Sequence, residues 1–111
     1  MASSILLTNK AVNTSASTPQ SIYTSPATGK GTIINAFTAA NNSTSNKNYK
    51  AYIVATGGSA DNPQLPFKII LWDDIDLGTG IDGQVIPPGG SLYVECNAID
   101  SVYFTVSGIE T

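Results

Sequence analysis

The chain lacks the residues on which most enzyme active sites depend. Its 111 residues include five lysines, no arginine and no histidine. Without histidine, neither a Ser-His-Asp triad nor an imidazole zinc site is possible. The single cysteine, Cys96, rules out an intrachain disulfide and a thiolate zinc site, and its place in an alternating apolar run predicts a buried thiol. These absences predict a protein that is not an enzyme and uses no cofactor.

Charge is also scarce, and no run of apolar residues is long. Charged residues make up 12% of the chain, against about a quarter in an ordinary soluble domain, and the net charge is -3. Such a sequence has no basic stripe for nucleic acid and no polybasic segment for anionic lipid, so we expect neither partner. The first apolar run, residues 5–7, is too short for a secretory signal or a membrane span, which predicts synthesis in the cytoplasm.

What the chain does have is a succession of short apolar runs separated by Gly, Pro, Asn and Ser. We predict eight strands, at residues 3–8, 21–24, 32–40, 49–56, 67–72, 84–86, 91–96 and 101–107. No segment shows a convincing helical period. This pattern predicts an all-β fold, a single antiparallel β-sandwich or jelly roll, with a closed barrel as the alternative.

The connections predict how the strands are arranged. The turn at residues 28–31 predicts a hairpin between 21–24 and 32–40. Residues 57–66, with two glycines and two prolines, resemble a crossover between sheets. Residues 1–18 predict an N-terminal strand or arm, which leaves 19–111 as the sandwich domain. Few charges protect the edge strands, so we expect a neighbouring subunit to cover them.

Gly78, Gly80 and Gly83 spell G-x-G-x-x-G, the pattern of a dinucleotide-binding turn. That function requires a helix after the glycines, because the pyrophosphate binds at the helix N-terminus. Here a short strand and two prolines follow. The sequence therefore favours a glycine-rich loop between two strands.

Four carboxylates, Asp73, Asp74, Asp76 and Asp82, lie within ten residues. Calcium prefers such oxygen ligands, but the spacing does not fit an EF-hand loop. A glycosidase pair would need two carboxylates held at a fixed separation in a cleft, and the sequence shows no cleft. A solvated acidic loop is the favoured interpretation, with a weak cation site as the alternative.

Six aromatic residues could stack on a sugar ring and form a carbohydrate-binding platform. On strands, however, aromatic side chains more often belong to the core or to cross-strand pairs. The candidates are Tyr23, Tyr49, Tyr52, Trp72, Tyr93 and Tyr103.

Five segments, taken in order, resemble small β-sandwich virion proteins of tailed bacteriophages. They are IYTSP (22–26), GKGTII (29–34), AAN (39–41), IPPGGSL (86–92) and VSGIE (106–110). The likeness runs over about residues 20–110 as an ordered pattern, and the region 57–83 with its acidic loop departs from it. No motif of the family assigns individual contact residues.

The resemblance implies a structural protein located in the virion. Proteins of this kind serve as capsid decoration (cement) proteins bound to the major capsid protein, or as neck, tail and fibre accessories. A capsid repeats one surface many times, so a small rigid domain gains by bridging neighbouring subunits, and we expect a homotrimer. We expect residues 1–18 to lie on the capsid or to exchange with a sister subunit. A carbohydrate-binding sandwich and a small hydrolase are the other classes considered.

Overall fold

Nine strands and no helix lie in the parts of the chain that the structure describes. The structure is a computed structural model and describes residues 4–60, 68–70 and 74–111. The strands are β1 (Ser4–Ala11), β2 (Gln20–Thr24), β3 (Thr32–Asn41), β4 (Lys47–Val54), β5 (Lys68–Ile70), β6 (Ile75–Asp76), β7 (Val85–Ile86), β8 (Ser91–Cys96) and β9 (Val102–Glu110).

The strands form two antiparallel sheets packed against each other. The five-stranded sheet has the order β1-β9-β3-β6, with β7 also paired to β3, and the four-stranded sheet has the order β2-β8-β4-β5. The predicted antiparallel β-sandwich is thereby confirmed. The closed-barrel alternative is wrong, because no hydrogen-bonded strand pair among the described residues joins one sheet to the other.

The core lies between the sheets and follows from the alternation of residues along the strands. On β9, Val102, Phe104 and Val106 are buried, as their shared face predicted. Phe104 packs against Phe37 of β3 and Tyr49 of β4, with ring centroids 5.7 and 5.3 Å away. Contacts of this kind contribute about 0.5–1.5 kcal/mol each beyond the burial of area. Cys96 is buried as predicted.

The hairpin predicted between β2 and β3 is wrong. β2 pairs with β8 in the four-stranded sheet, whereas β3 pairs with β9 in the five-stranded sheet. Nine residues of β3 have partners on β9, a longer ladder than the five-residue β2 could offer. Residues 25–31 therefore cross between the sheets. Glycine is required at position 29, where φ is 93° and a β-carbon would lie 1.9 Å from the Thr111 carbonyl oxygen.

The crossover predicted for residues 57–66 is also wrong. β5 pairs with β4, the strand that precedes it, within the four-stranded sheet. This pairing places Ile70 in the core and leaves Ile69 exposed. Residues 61–67 and 71–73, which include both ends of the strand predicted at 67–72, lie outside the described residues.

The acidic segment contains a strand that was not predicted. Ile75 and Asp76 form β6, which pairs with Ala40 and Ala39 at one end of β3, while β7 pairs with the other end. Two residues are too few for an alternating pattern to be recognised. The loop between β6 and β7 consequently runs along the edge of β3.

The N-terminal segment is part of the five-stranded sheet. β1 is an edge strand paired with β9, and Leu7, Ala11 and Val12 are buried. Its register shifts twice, and Asn9, beside the second shift, has a φ of 50°. The strand alternative of the sequence analysis thus describes residues 4–11. The domain boundary at residue 18 and the cover of edge strands by a second subunit stay predictions.

Candidate binding site

The outer face of the five-stranded sheet carries no charged side chain among its paired, described residues. Strand register places twelve residues on this surface, which we call the neutral face. They are Ile5, Ala11, Ile33, Ala36, Thr38, Ala40, Ile75, Val85, Tyr103, Thr105, Ser107 and Ile109. A sheet face open to solvent normally carries polar and charged residues, so this surface is unusual.

One end of the neutral face is aliphatic. Ile33 of β3 lies between Ile109 of β9 and Val85 of β7 in a single cross-strand row. Ile5 of β1 pairs with Ser107 in the next row and is 73% exposed. We call Ile5, Ile33, Val85 and Ile109 the aliphatic patch. Of the seven large aliphatic side chains that are exposed in the described part of the chain, four lie on the neutral face.

The other end of the neutral face forms a cleft of about 420 Å³. Its floor and walls come from one row across three strands, in which Ala40 of β3 pairs with Tyr103 of β9 on one side and with Ile75 of β6 on the other. A small side chain between two large ones makes the surface concave. Tyr103 and Ile109 are six residues apart on β9, so the cleft lies about 20 Å from the aliphatic patch.

Polar residues complete the lining of the cleft. Asn9, Asn41, Asn42 and Asp74 surround the row just described. Asn9 lies at the irregularity of β1 in the left-handed region, a conformation that asparagine tolerates better than most residues, and its N–H donates to Thr105 Oγ1 at 3.2 Å. Asp74 Oδ1 accepts a hydrogen bond from the Ile75 N–H at 2.8 Å. The Asn42 and Asn9 side chains are exposed.

Asn41 lines the cleft and also stabilises the structure beside it. Its side-chain amide donates to the carbonyl oxygens of Ser45 and Ile70, at 2.9 and 3.1 Å, and its Oδ1 accepts from Ser43. Ile70 belongs to the four-stranded sheet, so this buried residue ties the two sheets together beside the cleft. From the sequence, Asn41 was only one of several asparagines in a polar loop.

The glycine-rich loop is structural, as the sequence favoured. Gly78, Gly80 and Gly83 all have positive φ, and the chain continues into β7 without a helix. The Ile81 N–H donates to the Gly78 carbonyl oxygen at 2.7 Å, and the Ile81 side chain is fully buried in the core. The Gly83 N–H donates to the Ile34 carbonyl oxygen at 2.7 Å, which holds the loop on the edge of β3.

The acidic residues that the structure describes do not come together as a cation site. Asp76 Oδ2 accepts from the Tyr49 hydroxyl at 2.6 Å and from the Gly78 N–H at 2.9 Å, whereas Asp74 lines the cleft and Asp82 is exposed. In residues 4–60, 68–70 and 74–111, no three side chains of the metal-binding types form a group. Asp73 lies outside the described residues.

The candidate aromatic residues that the structure describes do not form one platform, because they lie in different environments. Tyr49 is in the core, and burial together with its hydrogen bond to Asp76 raises the pKa of its hydroxyl. Tyr52 is 3% exposed and donates to Glu95 at 2.7 Å; burial first, and then this bond, raises the pKa of Tyr52 to about 12.

The three remaining described tyrosines are half-buried, and each has different surroundings. The Tyr23 hydroxyl bonds to Glu110 and lies 3.1 Å from Thr32 Oγ1, so it links β2 to the opposite sheet. Burial and the bond to Glu110 raise the pKa of Tyr23 to about 12. Tyr93 pairs with Tyr52 across β8 and β4, and Tyr103 is the wall of the cleft. Trp72 lies outside the described residues.

Sequence reasoning identified two residues of the cleft, Asp74 and Tyr103, but in separate hypotheses. It missed Asn9 and Ala40, because nothing local distinguishes them from other residues of polar and apolar runs. The pairing of β1 with β9, and of β3 with both β6 and β9, brings these four residues together.

No helix in the described residues has the length and hydropathy of a membrane span. Comparison with family models, with curated proteins and with solved structures found no match, so function has to be inferred from these residues and their arrangement.

Proposed function

We propose that the chain is a non-enzymatic structural protein of a tailed-phage virion, a capsid decoration (cement) protein that binds the lattice of the major capsid protein and stabilises the head. The observation that supports this most directly is the neutral face with its aliphatic patch. The resemblance of five ordered segments to virion β-sandwich proteins supplies the viral setting. The proposed location is therefore the virion, and the proposed oligomer is a homotrimer.

The chemistry of the neutral face suits contact with protein. Charged residues are depleted at the centres of protein interfaces, because each buried charge would need a partner to offset its desolvation. The aliphatic patch offers Ile5, Ile33 and Val85 to such an interface without placing any charge among them. Exposed apolar groups that are contiguous in this way mark interaction sites more often than scattered ones do.

The arrangement of carboxylates supports a function other than glycoside hydrolysis. A glycosidase requires two carboxyl groups, about 5–9.5 Å apart, on either side of the scissile bond. In the described lining of the cleft, Asp74 is the one carboxylate. Asp76 lies outside this lining and accepts hydrogen bonds from Tyr49 and Gly78. The cleft therefore suits binding better than acid-base catalysis.

The proposal is tested by placing a charge in the aliphatic patch and measuring occupancy of the particle. Val85→Lys should strongly reduce binding of the purified chain to heads that lack it, because the lysine would have to be desolvated in the contact. Ile99→Lys is the matched control, since Ile99 is similarly exposed, 44% against 49% for Val85, but lies in the turn before β9. Both substitutions are on the surface and should leave stability within about 0.5 kcal/mol.

Equal occupancy for the two variants would refute attachment through the neutral face. Copy number then separates the cement role from its alternative, a neck, tail or fibre accessory, which the same face would suit. Densitometry of purified virions should show a copy number for a cement protein that is comparable to that of the major capsid protein. A few copies per particle would favour the accessory role, and absence from the virion would overturn the proposal.

A further inference from the structure

We infer that the cleft between Tyr103 and Ile75 is a binding site for a neutral saccharide. This inference goes beyond attachment to a capsid and does not depend on it. The site lies at the opposite end of the neutral face from the aliphatic patch, so a chain attached by the patch would keep the cleft accessible. The cleft volume of about 420 Å³ falls within the range of about 300–1,000 Å³ found for small-ligand sites.

The shape and apolar lining of the cleft fit a sugar ring. Tyr103 and Ile75 stand on either side of Ala40, which leaves a slot with two large apolar walls and a small residue at its floor. A pyranose presents apolar C–H groups on its faces, which pack on an aromatic ring, and hydroxyl groups around its edge. Ile75 is 55% exposed in the free protein, an apolar surface that such a ligand would cover.

The polar residues of the cleft match the edge of the ring. Asn9 and Asn42 each offer an amide donor and an acceptor, and Asp74 offers a carboxylate acceptor, so vicinal hydroxyls can both donate and accept. Asn9 reaches this position because β1 is irregular there and its backbone is held in the left-handed region. A strained backbone at a cluster of exposed polar groups is a frequent property of binding sites.

The charge of the cleft decides between ligand classes. The described lining contains no cationic side chain, and Asp74 would repel phosphate, sulfate or a carboxylate ligand. One carboxylate is also too few for a hard cation. Calcium takes six to eight oxygen ligands, and its usual sites include several carboxylates. An uncharged polyol with one apolar face is the class that meets all these conditions.

The test uses the purified chain and the methyl glycosides of glucose, galactose, mannose and N-acetylglucosamine, each titrated into isotopically labelled protein and followed by NMR. At least one glycoside should shift the signals of Asn9, Asn42 and Ile75 in a saturable way, with Kd in the millimolar range expected of a single shallow site. Inorganic phosphate serves as the charged probe and should leave these signals unchanged. No saturable shift with any of the four sugars, or a shift with phosphate instead, would overturn the inference.

Matched variants locate the site. Ala40→Leu fills the floor of the cleft, and Asp74→Asn removes its carboxylate. Each substitution should weaken sugar binding about tenfold, which is the effect of losing one good polar contact. Tyr103→Ala should also weaken sugar binding. Two controls should leave the affinity unchanged: Tyr93→Ala, on the outer face of the other sheet, and Asp82→Asn, which changes an exposed carboxylate outside the cleft. Ala40→Leu keeps the test decisive if Tyr103→Ala does not fold. Equal affinity in the cleft variants and their controls would contradict the assignment. Sugar binding is measured on the isolated chain and lattice binding on particles, so each proposal can fail alone.

Discussion

Replacing Gly78 by alanine tests whether the glycine-rich loop is needed for packing. Gly78 has a φ of 68°, and a β-carbon there would lie 2.6 Å from Phe37 Cδ1 and 2.9 Å from Phe37 Cβ. Phe37 is 2% exposed and packs against Tyr49 and Phe104, so its ring has no free space into which to move. Gly78→Ala therefore combines an unfavourable backbone conformation with overpacking of the core.

Gly83→Ala is the matched control, because it carries the first cost without the second. Gly83 has a φ of 85°, and a β-carbon there meets nothing within 4 Å. The left-handed conformation of a residue with a side chain costs about 1–2 kcal/mol. Overpacking adds about 1–3 kcal/mol, so Gly78→Ala should lower the free energy of unfolding by about 2–5 kcal/mol.

Urea and thermal unfolding followed by circular dichroism measure the difference. For a domain of about 100 residues, 1 kcal/mol changes Tm by about 4 °C, so Tm should fall by about 4–8 °C in Gly83→Ala and about 8–20 °C in Gly78→Ala. If the two losses agree within about 0.5 kcal/mol, the contact between the loop and Phe37 does not restrict this position, and the reasoning is refuted.

Three other predictions concern buried and half-buried side chains. Tyr49→Phe removes a hydroxyl that donates to Asp76 at 2.6 Å, and urea unfolding should show a loss of about 1.5–3 kcal/mol; a loss below 0.5 kcal/mol would contradict this. The pKa of Tyr23 and of Tyr52 is raised to about 12, so above pH 10 the unfolded chain loses protons that the folded protein keeps. The free energy of unfolding should therefore decrease as pH rises from 10 to 12. A free energy of unfolding that does not change over this range would contradict the raised pKa of the two tyrosines. Burial raises the pKa of the Cys96 thiol, which is 1% exposed, so a disulfide reagent should modify it far faster in urea than in the native protein; equal rates would exclude the buried position.

The cleft illustrates how far sequence reasoning can go toward a site. Tyr103 and Asp74 were each named as candidates, because an aromatic ring can stack on a sugar and a carboxylate can bind a cation. Their partnership was not, because it depends on Ala40 having one strand on each side. The neutral face was equally hidden. Its twelve residues come from five strands, four each from β3 and β9, two from β1 and one each from β6 and β7, and no single strand shows that they form one surface.

Local patterns determined the fold class, most of the strands, the burial of Cys96 and the inward face of β9. Alternation and turn residues act over a few positions, so they can be read from neighbouring letters. Which strands pair was decided by the tertiary structure, and here the hairpin of β2 with β3 and the crossover after β4 were wrong. Each strand can pair with several others, and the partners are often distant in sequence, as β3 and β9 are with their nine paired residues. Which pairing is most stable depends on the whole sandwich, so it cannot be read from neighbouring residues.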